Sequence, residues 1–162
     1  MSETRWLDDR ETVAWVPIAG LALFLRPHLD QAVKAHDLTF FDYVTLATLA
    51  DADDRTLPMS VLARLANGSL SRMSHAAARL ERKGLVARRR CAEDGRVTLV
   101  GLAAAGEALL EQAAPDHVES VREAVFDVLT LEEAETLAAI SERIAERLSP
   151  GGPPNGRPEV VR

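Results

Sequence analysis

The chain has 162 residues, of which 47% are hydrophobic and only 4% aromatic, and its formal net charge is −6 at pH 7. This length suits one domain, or a small domain whose helical extensions pair with a second copy, and argues against two independent domains. The single cysteine, Cys91, excludes an internal disulfide and any metal site built from several cysteines, and agrees with a reducing compartment. Because alanine and leucine dominate and β-branched residues are sparse, we expect a mainly α protein.

The sequence predicts no membrane partner. Arg26 closes the apolar stretch from Val13 to Leu25, and Pro17 and Gly20 interrupt it, so no apolar run is expected to reach membrane-spanning length. The N-terminus also lacks the basic then apolar order of a signal peptide. We therefore expect a cytoplasmic protein.

Positive charge is concentrated in one segment of this acidic chain. Residues 60–100 carry nine Arg or Lys against three acids, a net charge of +6, so the remaining residues carry −12. A basic segment of this kind is typical of a local DNA-binding surface, although a solvated charged face explains the charge alone equally well.

The first third of the chain predicts two helical regions. Residues 11–36 have a broad apolar stripe, but Pro17 and Pro27 predict a kink or break near each of them, and hence up to three short helices. Thr39 and Asp42 form a capping-box pattern that predicts a helix ending near Ala50. Residues 51–55 are predicted as a loop, and 56–58 as at most a short edge strand.

The central segment predicts two consecutive helices and a hairpin. A short helix over 59–66 ends at Asn67-Gly68, where the glycine is expected to take the left-handed conformation. Ser69 caps the next helix, 70–83, which ends at Gly84. Strands over 85–90 and 96–100 flank a turn at 92–95.

The helix over 70–83 has two different faces on a helical wheel. One side is apolar and predicted to enter the core, and it contains Leu70, Met73, Ala77 and Leu80. The other side carries the polar and basic side chains Ser71, Arg72, His75, Arg79 and Arg82. Such a helix can pack on a core while it offers hydrogen-bonding groups outward.

The last third predicts helices and a tail. A helix over 102–129 should be bent or interrupted by Pro115, and the capping box of Thr130 and Glu133 begins a final helix that extends to residue 148. Residues 149–162 contain seven Pro or Gly and are expected to be a disordered tail.

The order of short helix, tight turn, basic-faced helix and two-stranded hairpin indicates a winged helix-turn-helix. The major groove of DNA admits one helix, and the arginine-bearing hairpin can reach the adjacent phosphates or minor groove. Double-stranded DNA is therefore the expected partner, and the arginines Arg88 and Arg90 of the first hairpin strand belong to the expected contact surface.

The residues that carry this pattern resemble the MarR family of bacterial regulators. The matching stretches are LTFFDYVTLATL at 38–49, MSVLARLANGSLSRMSHAAARLERKGLV at 59–86 and AEDGRVTLVGLAAAG at 92–106. The resemblance implies a homodimer on an inverted repeat, commonly a repressor released by a small ligand. It divides the chain into N-terminal dimerisation helices (1–37), the winged helix-turn-helix (38–101), C-terminal dimerisation helices (102–148) and the tail (149–162).

The same resemblance assigns roles to individual residues. The recognition helix is residues 69–83, starting at Ser69; Ser71, Arg72, Ser74 and His75 lie nearest the bases and Arg79 lies nearer the DNA backbone. In the wing, Asp94 is expected to hold Arg96, which enters the minor groove. Gly95 stands where the family often has a further arginine, and Ala103 replaces the usual capping threonine.

The resemblance also places a ligand pocket near the aromatic N-terminal third. Trp15, His28 and Tyr43 are the candidate contacts, Arg26 is an alternative anchor, and an aromatic carboxylate is the expected class of effector. The alternative is that these residues pack the dimer core.

No cofactor, metal or enzymatic site is predicted. The four histidines are too scattered for metal-ligand spacing, and no catalytic triad or phosphate loop is present. The cations Arg88–Arg90 beside Cys91 would favour a thiolate, but an incidental cysteine is the preferred interpretation. The competing function is a winged-helix protein-interaction module that does not bind specific DNA.

Overall fold

The computed structural model of the protein describes residues 4–148, so the predicted tail at 149–162 lies outside the described residues. Its elements, in chain order, are α1 (Asp9–Lys34), α2 (Phe40–Ala50), β1 (Thr56–Pro58), α3 (Met59–Leu65), α4 (Leu70–Arg82), β2 (Val86–Arg90), β3 (Thr98–Leu102), α5 (Ala104–Ala124), a short 3-10 helix (Phe126–Val128) and α6 (Leu131–Leu148). This order confirms the predicted mainly α, winged helix-turn-helix fold with flanking helices.

Helix α1 runs unbroken past both of its prolines, so the predicted division into short helices is wrong. It begins with a capping box in which the Glu11 amide donates to Asp8 Oδ1 at 2.8 Å. Each proline removes one backbone hydrogen bond, to the carbonyl of Val13 or Leu23 four residues earlier. These residues are 74% and 69% exposed, so water can hydrate the released carbonyls.

Helix α5 is likewise continuous through Pro115, so of the predicted bend or interruption the interruption is wrong, and the helix ends at Ala124 rather than near residue 129. The proline releases the carbonyl of the exposed Glu111, which water can again satisfy. No side chain caps its start at Ala103, whereas α6 starts with the predicted capping box, in which the Thr130 amide donates to Glu133 Oε2 at 2.8 Å. These hydrogen bonds from Thr130 lower the pKa of Glu133.

The winged-helix core is formed by α2, α3 and α4, closed by the sheet and by α5. The strand order is β1-β3-β2 with both pairings antiparallel, so Thr56–Pro58 is the short edge strand that was predicted. Val100 at the centre of β3 is fully buried and lies opposite both Leu57 and Arg88. The sheet thereby holds the hairpin against the same core as α4.

The turn between α3 and α4 differs from its prediction in one residue. Asn67, not Gly68, has the left-handed backbone, with a φ of 49°. Asparagine tolerates this region better than most residues. Gly68 is required for space instead, because a Cβ there would lie 2.7 Å from the ring of Phe41. The turn is therefore pressed directly onto α2.

A large apolar surface on α1, and around and along α6, remains exposed in the single chain. Its members are Val13, Trp15, Val16, Ile18, Leu21, Leu23 and Phe24 on α1, and Phe126, Val128, Leu131, Leu137, Ile140, Ile144 and Leu148 near or on α6. Helix α1 is also long and apolar enough to cross a membrane by length and composition alone, with a hydropathy of 1.3 over its most apolar window. The prediction that no segment reaches this length is therefore corrected.

Candidate nucleic-acid interface

Helix α4 presents one face to the core and the opposite face to solvent, as predicted. The Ser69 hydroxyl caps it by accepting from the Arg72 amide at 3.2 Å. Met73, Ala77 and Leu80 are completely buried, but Leu70 is 56% exposed and does not belong to the core.

Most of the predicted contact residues of α4 are exposed. They are Ser69, Ser71, Arg72, Ser74, His75 and Arg82, whereas Arg79 is half-buried. Ser74, which the helical wheel puts at the edge of the core, is also exposed. The outer face therefore offers hydroxyl, imidazole and guanidinium groups of the kind that read base edges and bind phosphates.

Arg72 lies over an aromatic ring. Its guanidinium carbon is 4.1 Å from the centre of the Phe41 ring. This distance is well within cation–π range, so Phe41 supports the arginine from beneath. Because Gly68 and Arg72 both meet this ring, α2 determines where the start of α4 lies.

Arg79 forms an ion pair with a buried acid of the same chain. Its Nη2 donates to Asp42 Oδ1 at 2.6 Å, and Asp42 is only 1% exposed. The other oxygen of Asp42 accepts from the Thr39 amide at 3.1 Å and so caps α2. Asp42 thus joins the first turn of α2 to the recognition helix.

The end of α4 is fixed by a second contact with the loop after α1. Lys83 Nζ donates to Asp37 Oδ2 at 2.7 Å, and this contact lowers the pKa of the Asp37 carboxyl. Gly84 follows with a φ of 72° and ends the helix as predicted. Together with the Asp42 pair, this contact restricts the orientation of α4 against α2.

Two arginines of the first wing strand are already engaged. Arg88 Nη2 lies 2.6 Å from Glu81 Oε2, and hydrogen bonds from Arg88 hold the pKa of Glu81 below its usual value. Arg90 Nη1 donates to the Gly95 carbonyl at 3.2 Å, which braces the turn. The side chain of Arg89, which was not among the predicted contacts, makes no hydrogen bond or ion pair within residues 4–148.

The tip of the wing differs in detail from the expected arrangement. Asp94 Oδ1 accepts from the backbone amide of Arg96 at 2.9 Å, not from its guanidinium. Asp94 therefore shapes the turn, and the Arg96 side chain forms no ion pair with any residue that the structure describes. A guanidinium without a partner on an exposed turn is available for phosphate or minor-groove contact.

The three predicted ligand contacts are not brought into one cavity. Trp15 is 55% exposed on α1. His28 Nε2 lies 3.3 Å from the Ser120 carbonyl, and Tyr43 is buried with its ring 4.5 Å from that of His117. Burial raises the pKa of Tyr43 and lowers that of His117. These contacts join α5 to α1 and α2.

A cavity instead lies beside the recognition helix, between α1, the start of α2 and α4. Arg26, Phe41, Arg72, His75 and Arg79 are among the residues that line it.

Residues 4–148 contain no group of three or more His, Cys, Asp or Glu side chains that could hold a metal ion. The Cys91 thiol is free and partly buried. The backbone amide of Cys91 donates to the Val97 carbonyl at 2.9 Å.

Sequence reasoning missed four residues that shape this surface: Leu70, Arg89, Phe41 and Asp42. Leu70 could not be distinguished from a core residue because its helical spacing matches that of Met73. Arg89 was visible as part of a run of three arginines. Phe41 and Asp42 act through contacts with distant parts of the chain, which periodicity cannot reveal.

Known proteins share this architecture along almost the whole chain. A model of the MarR family matches residues 36–97. The structure of Sco3205, a MarR family transcriptional regulator from Streptomyces coelicolor in complex with DNA, is 38% identical, with a TM-score of 0.86 over 93% of this chain and 94% of that one. AbsC, a MarR family transcriptional regulator from the same organism, is 34% identical, with a TM-score of 0.82 over 90% and 98% of the two chains.

A third structure is more distant. Sco5413, also a MarR family transcriptional regulator from Streptomyces coelicolor, is 26% identical, with a TM-score of 0.72 over 85% of this chain and 96% of that one. None of the curated protein sequences compared with the chain matches it.

Proposed function

Because the chain belongs to the MarR family of transcription regulators, we propose that it represses transcription as a homodimer bound to an inverted-repeat operator, and that a small ligand releases it. Each protomer would place α4 in the major groove of one half-site and the wing in the neighbouring minor groove. The protein would act in the cytoplasm, without a cofactor and without enzymatic activity.

The observation that carries this proposal is the outer surface of α4 and the wing. Arg72 and His75 are exposed on α4, and Arg89 and Arg96 are exposed on the wing. Arg79 and Arg88, by contrast, form ion pairs with Asp42 and Glu81 of the same chain. The arginines that pair within the fold are thus distinct from those that face solvent without an ion-pair partner among residues 4–148. A protein-interaction module would not need this second set. The similar regulator Sco3205 was solved in complex with DNA.

The exposed apolar surface supports the homodimer. Monomeric proteins rarely expose contiguous apolar surface on this scale, and here it covers the helices outside the winged-helix region. We assign this surface, including that of α1, to a second copy of the chain rather than to a membrane. Residues 1–37 and 102–148 would then be the dimerisation segments and 38–101 the DNA-binding segment.

Selection of DNA from a random pool by the purified full chain tests the proposal. We expect an inverted repeat whose half-sites are about 10 base pairs apart from centre to centre, since the two copies are related by a two-fold axis. An asymmetric site, or no enriched site, would favour the protein-interaction module.

Salt dependence of binding to the selected site provides a second test. Affinity should fall steeply with salt because Arg and Lys displace counterions from phosphates, by about 0.9 in logarithmic slope per phosphate contact. Arg89→Ala should make the slope shallower. Arg10→Ala removes the same charge from α1, outside the surface formed by α4 and the wing, and should leave the slope unchanged.

A further inference from the structure

Leu70 stands out among the side chains of the winged-helix segment. Within residues 38–101, all of which the structure describes, it is the only large hydrophobic side chain that is exposed. It lies in the first turn of α4, directly after the capping Ser69. The other exposed large hydrophobic side chains of residues 4–148 lie at 6–24 or 126–148, on the surface that we assign to the second copy. The helices that form that surface do not include α4, so Leu70 requires a different explanation.

The surroundings of Leu70 on α4 are polar but uncharged. Its neighbours Ser71 and Ser74 are exposed and carry hydroxyl groups. At 100° per residue, Ser74 lies about 40° from Leu70 around the helix axis, whereas Arg72 lies about 160° away. Arg72 is also held over the ring of Phe41, on α2. The first two turns of α4 therefore have an uncharged side with Leu70 and Ser74 and a basic side with Arg72.

The chemistry of leucine restricts what Leu70 can recognise on DNA. Its side chain forms no hydrogen bonds and carries no charge, so a contact with a phosphate would contribute little. In the major groove, the one methyl group on the base edges is the C5-methyl of thymine. In the helix-turn-helix arrangement, the N-terminal residues of the recognition helix are the ones that meet base edges. An exposed leucine in the first turn of α4 therefore fits a thymine.

We propose that Leu70 selects a thymine in each half-site of the operator by packing on its C5-methyl group. This inference rests on the proposed function and names a residue that determines sequence preference. The neighbouring Ser74 hydroxyl contributes less selectivity, because a hydroxyl can donate to or accept from several base edges. Preference for thymine at this position depends on Leu70.

Deoxyuridine is the probe, because its base is thymine without the C5-methyl group. The operator selected by the full chain is synthesised with each thymine of one half-site replaced in turn by deoxyuridine. At the position that meets Leu70, the replacement should weaken binding about fourfold, the factor expected for burial of one methyl group. A half-site without thymine, or one in which no replacement weakens binding, would overturn the proposal.

A matched pair of variants assigns the effect to Leu70. Leu70→Ala should reduce the difference between the thymine and uracil operators to less than about twofold, since the two changes remove the same contact. Ser74→Ala shortens a side chain on the same side of α4 and should change the affinity for both operators by the same factor. If the fourfold difference persists in Leu70→Ala, another residue meets the methyl group and the proposal is wrong. Leu70 is exposed, so thermal melting should show that Leu70→Ala is folded.

Methylated cytosine separates the methyl group from the rest of the thymine edge. Replacing the T·A pair at this position by C·G changes the hydrogen-bonding pattern, and a C5-methyl on that cytosine restores only the apolar group. Methylation should raise the affinity of the unchanged chain for this operator about fourfold and should have little effect on Leu70→Ala. Equal affinity of the unchanged chain for the methylated and unmethylated operators would contradict a methyl contact.

The two proposals can fail separately. Failure of the full chain to select any symmetric operator would contradict the proposed function. Selection of a symmetric operator in which no thymine methyl group affects binding would contradict only the role of Leu70.

Discussion

Single arginines of α4 and the wing differ in their contacts within the chain, and their positions in the sequence do not reveal the difference. Arg79 and Arg88 each meet an acid of the same chain, whereas Arg89 and Arg96 find no such partner among residues 4–148. Paired and unpaired arginines should therefore respond differently to substitution. We expect the paired ones to contribute to stability and the unpaired ones to contribute to DNA binding.

Arg96→Ala should weaken operator binding by about 1 to 3 kcal/mol and leave the melting temperature nearly unchanged. The side chain is exposed and unpaired, so only a contact with DNA depends on it. Asp94→Ala should cause a smaller loss, since Asp94 orients only the backbone amide of Arg96. Operator titration and thermal melting of both variants test this, and unchanged affinity of Arg96→Ala would remove the wing from the binding mechanism.

Arg79→Ala should destabilise the fold by about 1 to 3 kcal/mol, because it leaves the buried Asp42 carboxylate without its charged partner. Arg82→Ala is the control on the same helix, where the side chain is exposed and its Nε makes one long hydrogen bond of 3.4 Å. Urea unfolding measures both free energies. Equal free energies of unfolding for Arg79→Ala and Arg82→Ala would show that the Arg79–Asp42 pair does not stabilise the fold.

At the scale of elements, local signals in the sequence predicted the helix ends and missed the continuity of the long helices. The capping boxes at Thr39 and Thr130, the cap at Ser69 and the stop at Gly84 are encoded within a few residues, and all four are confirmed. The prolines of α1 and α5 were misjudged because exposure of the released carbonyls and packing of the rest of each helix decide their effect.

The same distinction applies to the candidate site. The outward face of α4 follows from a period of 3.6 residues and was predicted. The Asp42–Arg79 pair joins residues 37 positions apart, and the Phe41–Arg72 contact joins two helices. Neither contact has a signature in a single sequence. The cavity that these contacts shape includes Arg26, the alternative ligand anchor, but none of the predicted contacts Trp15, His28 and Tyr43.

His117 should make the packing of α5 on α2 sensitive to pH. Its ring lies against Phe40 and Tyr43, and burial lowers its pKa below the ordinary 6.5. The unfolded chain therefore takes up a proton at higher pH than the folded protein does. The stabilising contribution is complete above about pH 6.5 and is lost progressively as the pH falls towards the lowered pKa of the folded state.

Urea unfolding between pH 7.5 and 5.5 provides the measurement. His117→Phe keeps an aromatic ring between α5 and α2 but cannot take up a proton, so its stability should fall less on acidification than that of the unchanged protein. His36, just after the end of α1, lies 2.7 Å from Asp116 of α5. This pair is present in both proteins. Their effect therefore cancels in the comparison. Equal pH dependence of the two proteins would exclude His117 as the source.

At the scale of the whole molecule, the helices outside the winged helix carry apolar surface that the single chain leaves uncovered. Leu137, Ile140 and Ile144 fall on one side of α6 and are 39%, 46% and 43% exposed. Several α1 side chains are more exposed still, including Phe24 at 75%. A second copy of the chain can cover both helices at once, and a two-fold axis then places one recognition helix on each half-site.

The homodimer is tested by the mass in solution and by one pair of substitutions on α6. Light scattering at micromolar concentration should give twice the chain mass of 17.6 kDa.

Ile140→Glu places a charge within the apolar side of α6 and should shift the mass towards that of the monomer, since burying an unpaired carboxylate is costly. Ala139→Glu adds the same charge about 100° away around the helix, outside the side that carries Leu137, Ile140 and Ile144, and should preserve the dimer. Operator affinity should fall with Ile140→Glu, because a monomer binds one half-site only, and should be kept with Ala139→Glu. A monomeric unchanged chain that still binds the full inverted repeat tightly would show that symmetry of the operator does not require pairing through these helices.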